Sequence, residues 1–165
     1  MDELPDFFED FFLEPGDAVG FDSPPLTSDL VRTAEAKLEV KLPSVYLLLL
    51  GIQNGGYVTR PLYPTTRPTS WADDHVYFDH LLGIGGDDGI DAELGSRHQI
   101  ETWGYPDVGV VICSSGSTAF MLDYEECGRD GEPRVIWVDT DTSNEPDVLE
   151  LAPNFVTFVS RLQGY

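Results

Sequence analysis

The densest apolar pattern in the chain lies between Leu42 and Tyr57. Val45, Leu48, Leu49 and Ile52 recur at i, i+3, i+4 and i+7, one face of an α-helix, and Tyr46, Leu47 and Leu50 widen that face to nearly the full circumference. The pattern predicts a central helix that must be covered on most sides. Pro43 suits its first turn, where a missing N–H costs nothing, and Asn54-Gly55-Gly56 stops it with residues that tolerate positive φ. Upstream, Leu30, Val31, Ala34 and Leu38 mark the apolar face of another helix, with Thr27 or Ser28 as its cap, Asp29 in its first turn and Lys41 closing a short link to the central helix. Ser23-Pro24-Pro25 separates it from an acidic, aromatic opening in which Phe7, Phe8, Phe11 and Phe12 share one helical face. This opening reads as a short docked helix or extended arm, residues 1–26, packed on a domain of residues 27–165.

Downstream the period shortens. Tyr57-Val58-Thr59, Val76-Tyr77-Phe78 and Leu81–Ile84 read as short strands, the first two joined by a proline-punctuated loop over residues 60–74 that contains Trp71. Gly85–Gly89 must be a turn, and Ser96-Arg97-His98-Gln99 fits a capping box opening a helix that ends near Trp103-Gly104-Tyr105-Pro106. Val108–Cys113, Thr118–Leu122 and Arg134–Val138 are three more strand-like runs, and a last helix starts beside Pro153 with Phe155, Val159 and Leu162 on one face. Helices, then strands with one helix inserted, then a helix, predict a single α+β domain with a largely antiparallel sheet, since βα alternation is lacking.

Composition narrows the class. At 165 residues and 41% hydrophobic content, one domain with a substantial core is expected. No apolar run approaches the roughly 20 residues of a membrane span, and the opening Met1–Asp6 lacks the basic start of a signal peptide, so the expected location is the cytoplasm. Cys113 and Cys127 have no Cys-x-x-Cys spacing and read as reduced thiols. Thirty acids stand against nine Lys and Arg, a formal charge of −21 that repels nucleic acid and anionic membranes. The acids fall in three regions: nine in residues 1–31, eight in 73–101 and ten in 123–150. Solubility alone produces such surfaces, and so does a basic partner.

Catalytic patterns are weak. Ser114-Ser115-Gly116-Ser117 lacks the Gly-x-Ser-x-Gly spacing of a nucleophile elbow and reads as a hairpin turn, with Cys113 a small core residue at its start. Gly83-x-Gly85-x-x-Asp88 misses the last glycine of a dinucleotide fingerprint. Asp139, Asp141, Ser143, Asp147 and Glu150 match calcium-loop positions, but a strand-like run precedes them where a helix belongs, so a solvated acidic loop is the simpler reading. Asp73, Asp74, His75, Asp79 and His80 carry ligand chemistry, yet strand alternation would scatter them over two faces, and His98 reads as a surface residue. No metal and no cofactor is expected.

Several stretches taken together resemble the SUKH superfamily, in particular its Smi/Knr-type proteins. They are Ala34–Leu38 with Leu42-Pro43 and Tyr46, Asn54-Gly55-Gly56, Pro68–His75, Gly83-Ile84-Gly85, Glu101-x-Trp103-Gly104-Tyr105-Pro106, Leu122-Asp123-Tyr124, Cys127-Gly128, Gly131-Glu132-Pro133-x-Val135 and Leu151-Ala152-x-x-Phe155. The likeness covers about residues 27–162. The chain departs from the family in having Phe-Phe where an aromatic-rich start often holds Phe-Trp, and in a Cys113–Ser117 turn shorter than versions carrying Gly-His. The resemblance implies a curved, mostly antiparallel sheet flanked by helices, and a protein that is not an enzyme. Many bacterial members resemble immunity proteins that bind and neutralise a cognate polymorphic toxin domain, often a nuclease. An acidic inhibitor can occupy the basic cleft of such a toxin.

The shared positions Pro43, Asn54, Gly55, Gly56, Trp103, Pro106, Asp123, Tyr124, Glu132 and Pro133 are then expected to be structural, with Asp123 bonding turn amides. The partner surface is expected among loop acids and an exposed aromatic: Trp71, Asp73, Asp74, Asp87, Asp88, Asp91 and Glu93. Two rivals stand beside the immunity reading. One is a regulatory adaptor of cell-wall synthesis or signalling, though such relatives carry long disordered flanks and this chain ends at Tyr165, just after its last helix. The other is a metal-assisted hydrolase, which needs converging carboxylates or histidines.

Overall fold

The computed structural model describes residues 10–13, 23–142 and 144–165. Its first helix, α1 (Ser28–Leu38), begins as expected: the Thr27 hydroxyl accepts the Leu30 amide at 3.2 Å, and Asp29 sits in the first turn. Ala34 and Leu38 are buried and Leu30 and Val31 half-buried. The link to the next helix is bonded at both sides, Lys41 N–H to the Arg129 carbonyl at 2.8 Å and Leu42 N–H to the Glu35 carboxylate at 2.7 Å.

The central helix, α2 (Ser44–Ile52), starts after Pro43 and buries Tyr46, Leu49 and Leu50. The expectation of near-complete cover is corrected here. Leu48 is 50% and Ile52 52% exposed, so the Val45/Leu48/Leu49/Ile52 stripe is not the buried face. Tyr46 decides the orientation. It is fully buried, its hydroxyl donates to the Leu82 carbonyl at 2.6 Å, and its ring meets Phe155 edge-on. One aromatic with a polar tip selects a face where a uniform row of leucines cannot.

Beyond α2 come four short strands: β1 (Gly56–Tyr57), β2 (Leu62–Pro64), β3 (His75–Tyr77) and β4 (His80–Leu81). β1 pairs with β4 and β2 with β3, both antiparallel. The long loop expected over residues 60–74 therefore contains a strand, because the Pro61 carbonyl accepts Phe78 N–H and Leu62 exchanges bonds with Gln163. Of the N-terminal arm, residues 11–13 run alongside β1: Phe12 bridges Val58, and the buried Phe11 closes a core edge. The helix reading is replaced there by an extended segment, while Phe7, Phe8 and the rest of the arm lie outside the described residues.

After α3 (Ser96–Trp103) the chain forms an antiparallel meander of β5 (Gly109–Ser115), β6 (Thr118–Asp123), β7 (Arg134–Asp139) and β8 (Asp147–Ala152). β8 occupies a segment expected to be an acidic loop. Its charges hid it, because only part of its length faces the core and Asp147 and Glu150 read as solvated residues. The sheet is buried on both faces. Val110, Ile112, Phe120, Leu122, Val135 and Trp137 pack towards α1, α2 and α4 (Phe155–Arg161), while Val111, Ala119, Met121, Ile136 and Val138 pack with Ile100 of α3 and Tyr105. Two-sided burial explains the unbroken apolar runs of β5 to β7.

α3 lacks the expected capping box. Gly95 caps it without a side-chain bond, and the Ser96 hydroxyl, 1% exposed, accepts the Val111 amide of β5 at 2.9 Å. Ser96→Ala strands that amide and is expected to cost about 2 kcal/mol, read by urea unfolding. A loss below about 0.5 kcal/mol would show that the bond does not fasten α3 to the sheet.

Several of the shared motif positions make contacts that the structure shows. Gly104 closes α3 in the left-handed region, Trp103 lies over Gly116 of the β5–β6 turn, and Pro106 accepts the Val108 amide at 3.0 Å. Asp123, buried, accepts Glu125 N–H at 2.9 Å, the turn bond expected, and also Arg134 Nε at 2.7 Å, an ion pair between β6 and β7 that sequence did not indicate. Tyr124 donates to the Lys41 carbonyl at 2.7 Å, Pro133 is buried, and Glu132 is exposed.

Candidate functional site

The β2–β3 connection is an ordered platform. Thr65 N–H donates to the Asp74 carbonyl at 2.8 Å, closing the loop's base. Thr69 Oγ1 accepts the amides of Trp71 and Ala72 at 3.2 and 3.4 Å, and its own N–H reaches the Ala72 carbonyl at 2.9 Å. Two side chains fasten this loop to the sheet. Arg67 grips the Asp147 carboxylate through both terminal nitrogens at 3.2 and 2.8 Å, and Ser70 donates to buried Asp139. Trp71, 54% exposed, stacks on Tyr77 with centroids 5.5 Å apart and planes 12° apart, and the Tyr77 and Tyr165 hydroxyls are bonded at 3.0 Å. Asp73 and Asp74 are exposed beside this ledge, Asp74 lying 2.8 Å from His75 Nδ1. Sequence singled out Trp71 and its acids but missed Tyr77, Tyr165 and Arg67, which only tertiary contacts connect.

The second group of expected partner residues lies on the loop between β4 and α3, held by different elements. Asp87, Asp88 and Glu93 are exposed. Asp91 is half-buried, its carboxylate accepting Gly85 N–H at 2.9 Å and its carbonyl accepting Lys37 of α1. It is thus occupied in shaping the loop. The buried Ile90 pins the loop, with its amide on the Gly83 carbonyl at 2.9 Å.

The acids of the calcium-like pattern point to separate partners. Asp139 takes Ser70 and the Asp141 amide, Asp147 takes Arg67, and Glu150 lies 3.8 Å from Arg134. Ser143 is outside the described residues. Convergence occurs elsewhere. Asp79 Oδ1 is 2.6 Å from His80 Nδ1, and Cys113 Sγ lies 3.8 Å from the first and 3.7 Å from the second. Asp79 stands between β3 and β4, outside the regular pleat, so strand alternation does not separate it from His80. Burial disfavours the His80 imidazolium, but the Cys113 sulfur and the Asp79 carboxylate outweigh it and hold the ring above its usual range. Burial likewise pushes the Asp79 carboxyl up, and the bond and charge of His80 reverse this and hold it below its ordinary value. Both acid and thiol address the same nitrogen. A nucleophilic relay needs them on opposite ring nitrogens, so this is not the arrangement of a catalytic triad.

An antiparallel meander with helices on both faces and an acidic surface that carries a stacked aromatic ledge defines a small α+β domain. The chain belongs to the SMI1 / KNR4 family (SUKH-1), whose family model matches residues 25–161. That membership makes it an immunity-protein-like member of the SUKH group, as its residues led one to expect. No curated protein and no solved structure matches it significantly. Among the described residues no helix is long and apolar enough to cross a membrane.

Proposed function

We propose that this chain is a non-enzymatic immunity protein that binds and neutralises a cognate polymorphic toxin domain, a basic one such as a nuclease, in the bacterial cytoplasm. The observation that carries the reading is the Trp71–Tyr77 stack fastened beside Asp73 and Asp74. A tryptophan held rigid yet half exposed loses little entropy on binding, and tryptophan and tyrosine dominate interface energetics. The neighbouring carboxylates match Arg and Lys, which also stack on aromatic faces. The net charge of −21 draws such a partner in and repels nucleic acid. Family membership supports the same role.

The test is co-expression with a basic toxin domain encoded beside the gene, read as growth rescue, together with binding kinetics at two salt concentrations. Rescue with an on-rate that falls as salt rises is expected. Neither complex at low salt nor rescue would sink the reading. The double substitution Asp87→Asn, Asp88→Asn is expected to slow association about tenfold at low salt and leave dissociation nearly unchanged, because rim charges act through steering. An unchanged on-rate would remove that loop from the approach surface. Asp91 is left intact, since neutralising it disturbs the Gly85 turn.

A further inference from the structure

The β5–β6 pair carries a bulge whose effect is to re-aim one side chain. Val111 opposes Met121, and the next opposed pair is Cys113 with Phe120, so Ile112 is extra. Strict alternation would send Cys113 with Val111 towards α3. The bulge turns it instead to the face of Ile112 and Phe120, where β4 runs alongside β5 through the Leu82 amide and the Ile112 carbonyl at 2.8 Å. It thereby meets Asp79 and His80. Bulges that reorient a side chain recur next to functional sites.

We propose that Asp79, His80 and Cys113 bind one divalent metal ion of the zinc class, which clasps β4 to β5. Carboxylate, imidazole and thiolate are the donor types zinc takes, whereas the sulfur and nitrogen disfavour calcium and magnesium. The spacing fits. Metal–sulfur and metal–nitrogen bonds of about 2.3 and 2.0 Å in a tetrahedron put those donors roughly 3.5 Å apart. The sulfur lies 3.7 Å from His80 Nδ1 and 3.8 Å from Asp79 Oδ1. The Asp79–His80 separation of 2.6 Å is that of a shared proton, and it opens when the metal replaces that proton. Cys113 binds as thiolate and releases its proton to solvent, so carboxylate and thiolate balance the ion's charge. His80 likewise releases its Nδ1 proton to solvent and binds as the neutral imidazole. Asp79 is part-exposed, which leaves a water the fourth position. The ion fixes the β1–β4 ribbon against the four-stranded sheet.

The experiment is a titration of the metal-stripped full chain with Co²⁺, followed by Zn²⁺ as competitor. One equivalent of Co²⁺ is expected to produce sulfur-to-metal charge transfer in the near ultraviolet and the intense visible bands of four-coordinate cobalt, both abolished by Zn²⁺, and Zn²⁺ alone is expected to raise the melting temperature. Cys113→Ala loses the charge-transfer band, and Cys127→Ala keeps it, since Cys127 is the exposed thiol elsewhere. Absence of the band in the unmodified chain overturns the proposal, whatever the variants do. A band that follows Cys127, or one that His80→Gln leaves unchanged, overturns it equally.

Discussion

Replacing Asn54 by alanine is expected to lower stability by about 3–4 kcal/mol and to lower the melting temperature by about 10 °C. The buried Asn54 amide nitrogen donates to the Pro24 and Ile84 carbonyls, each at 2.7 Å, and its oxygen accepts Ile84 N–H at 2.9 Å. One side chain thus joins the segment before α1, the end of α2 and the stretch after β4. Alanine strands two carbonyls and an amide, each worth roughly 1–3 kcal/mol when left buried, partly relieved where water enters. The surroundings leave no room to compensate. Gly55, at φ +96°, packs against the Gly83 backbone, and a side chain at Gly83 would collide with Asn54 itself. Asn54→Asp should be no better, because a carboxylate faces the same two carbonyls without donors. Urea and thermal unfolding measure both. A loss under about 1 kcal/mol for the alanine variant would mean this junction is not the joint it appears from its bonds.

If the proposed toxin complex forms, Trp71→Ala is expected to weaken it by about 2–4 kcal/mol, roughly 30- to 1000-fold in Kd, while the fold loses no more than about 1 kcal/mol. The two effects separate because the indole is half exposed and its visible intramolecular ring contact is the stack on Tyr77. The loop's anchors, Arg67 on Asp147 and Ser70 on Asp139, are untouched by the substitution. Trp71→Phe should retain part of the affinity. Calorimetric titration against the partner domain, beside thermal melts of the free variants, reads both quantities. Unchanged affinity with unchanged stability would place the interface elsewhere on the acidic surface.

Legibility followed the range of the interactions. The Thr27 cap, the Leu30/Val31/Ala34/Leu38 face, three of the four meander strands and the last helix were visible because caps and periodicity are written within a few residues. The α2 burial stripe was misread because its leucines are equivalent in sequence, and only the Tyr46–Leu82 bond and the Phe155 contact break the tie. The Ser96 capping box failed for a related reason, its hydroxyl being taken by β5. Strand β8 was hidden by acids whose partners, Arg67 and Arg134, lie far off in the chain.

For function the division is the same. Residue identity, order and local spacing suffice for the family, the α+β class, the strong negative charge and Trp71 with its neighbouring acids as surface candidates. Tertiary structure alone decided that Trp71 is stacked and fastened, that Asp91 is a turn residue, and that a bulge brings Cys113 to Asp79 and His80. The loop anchors and the Cys113 cluster rest on contacts between residues far apart in the chain, the Trp71 stack and the Asp91 bond span six positions without any periodic signature, and the bulge is one unpaired residue that reverses the side-chain alternation of a strand, so none of them leaves a mark in local pattern.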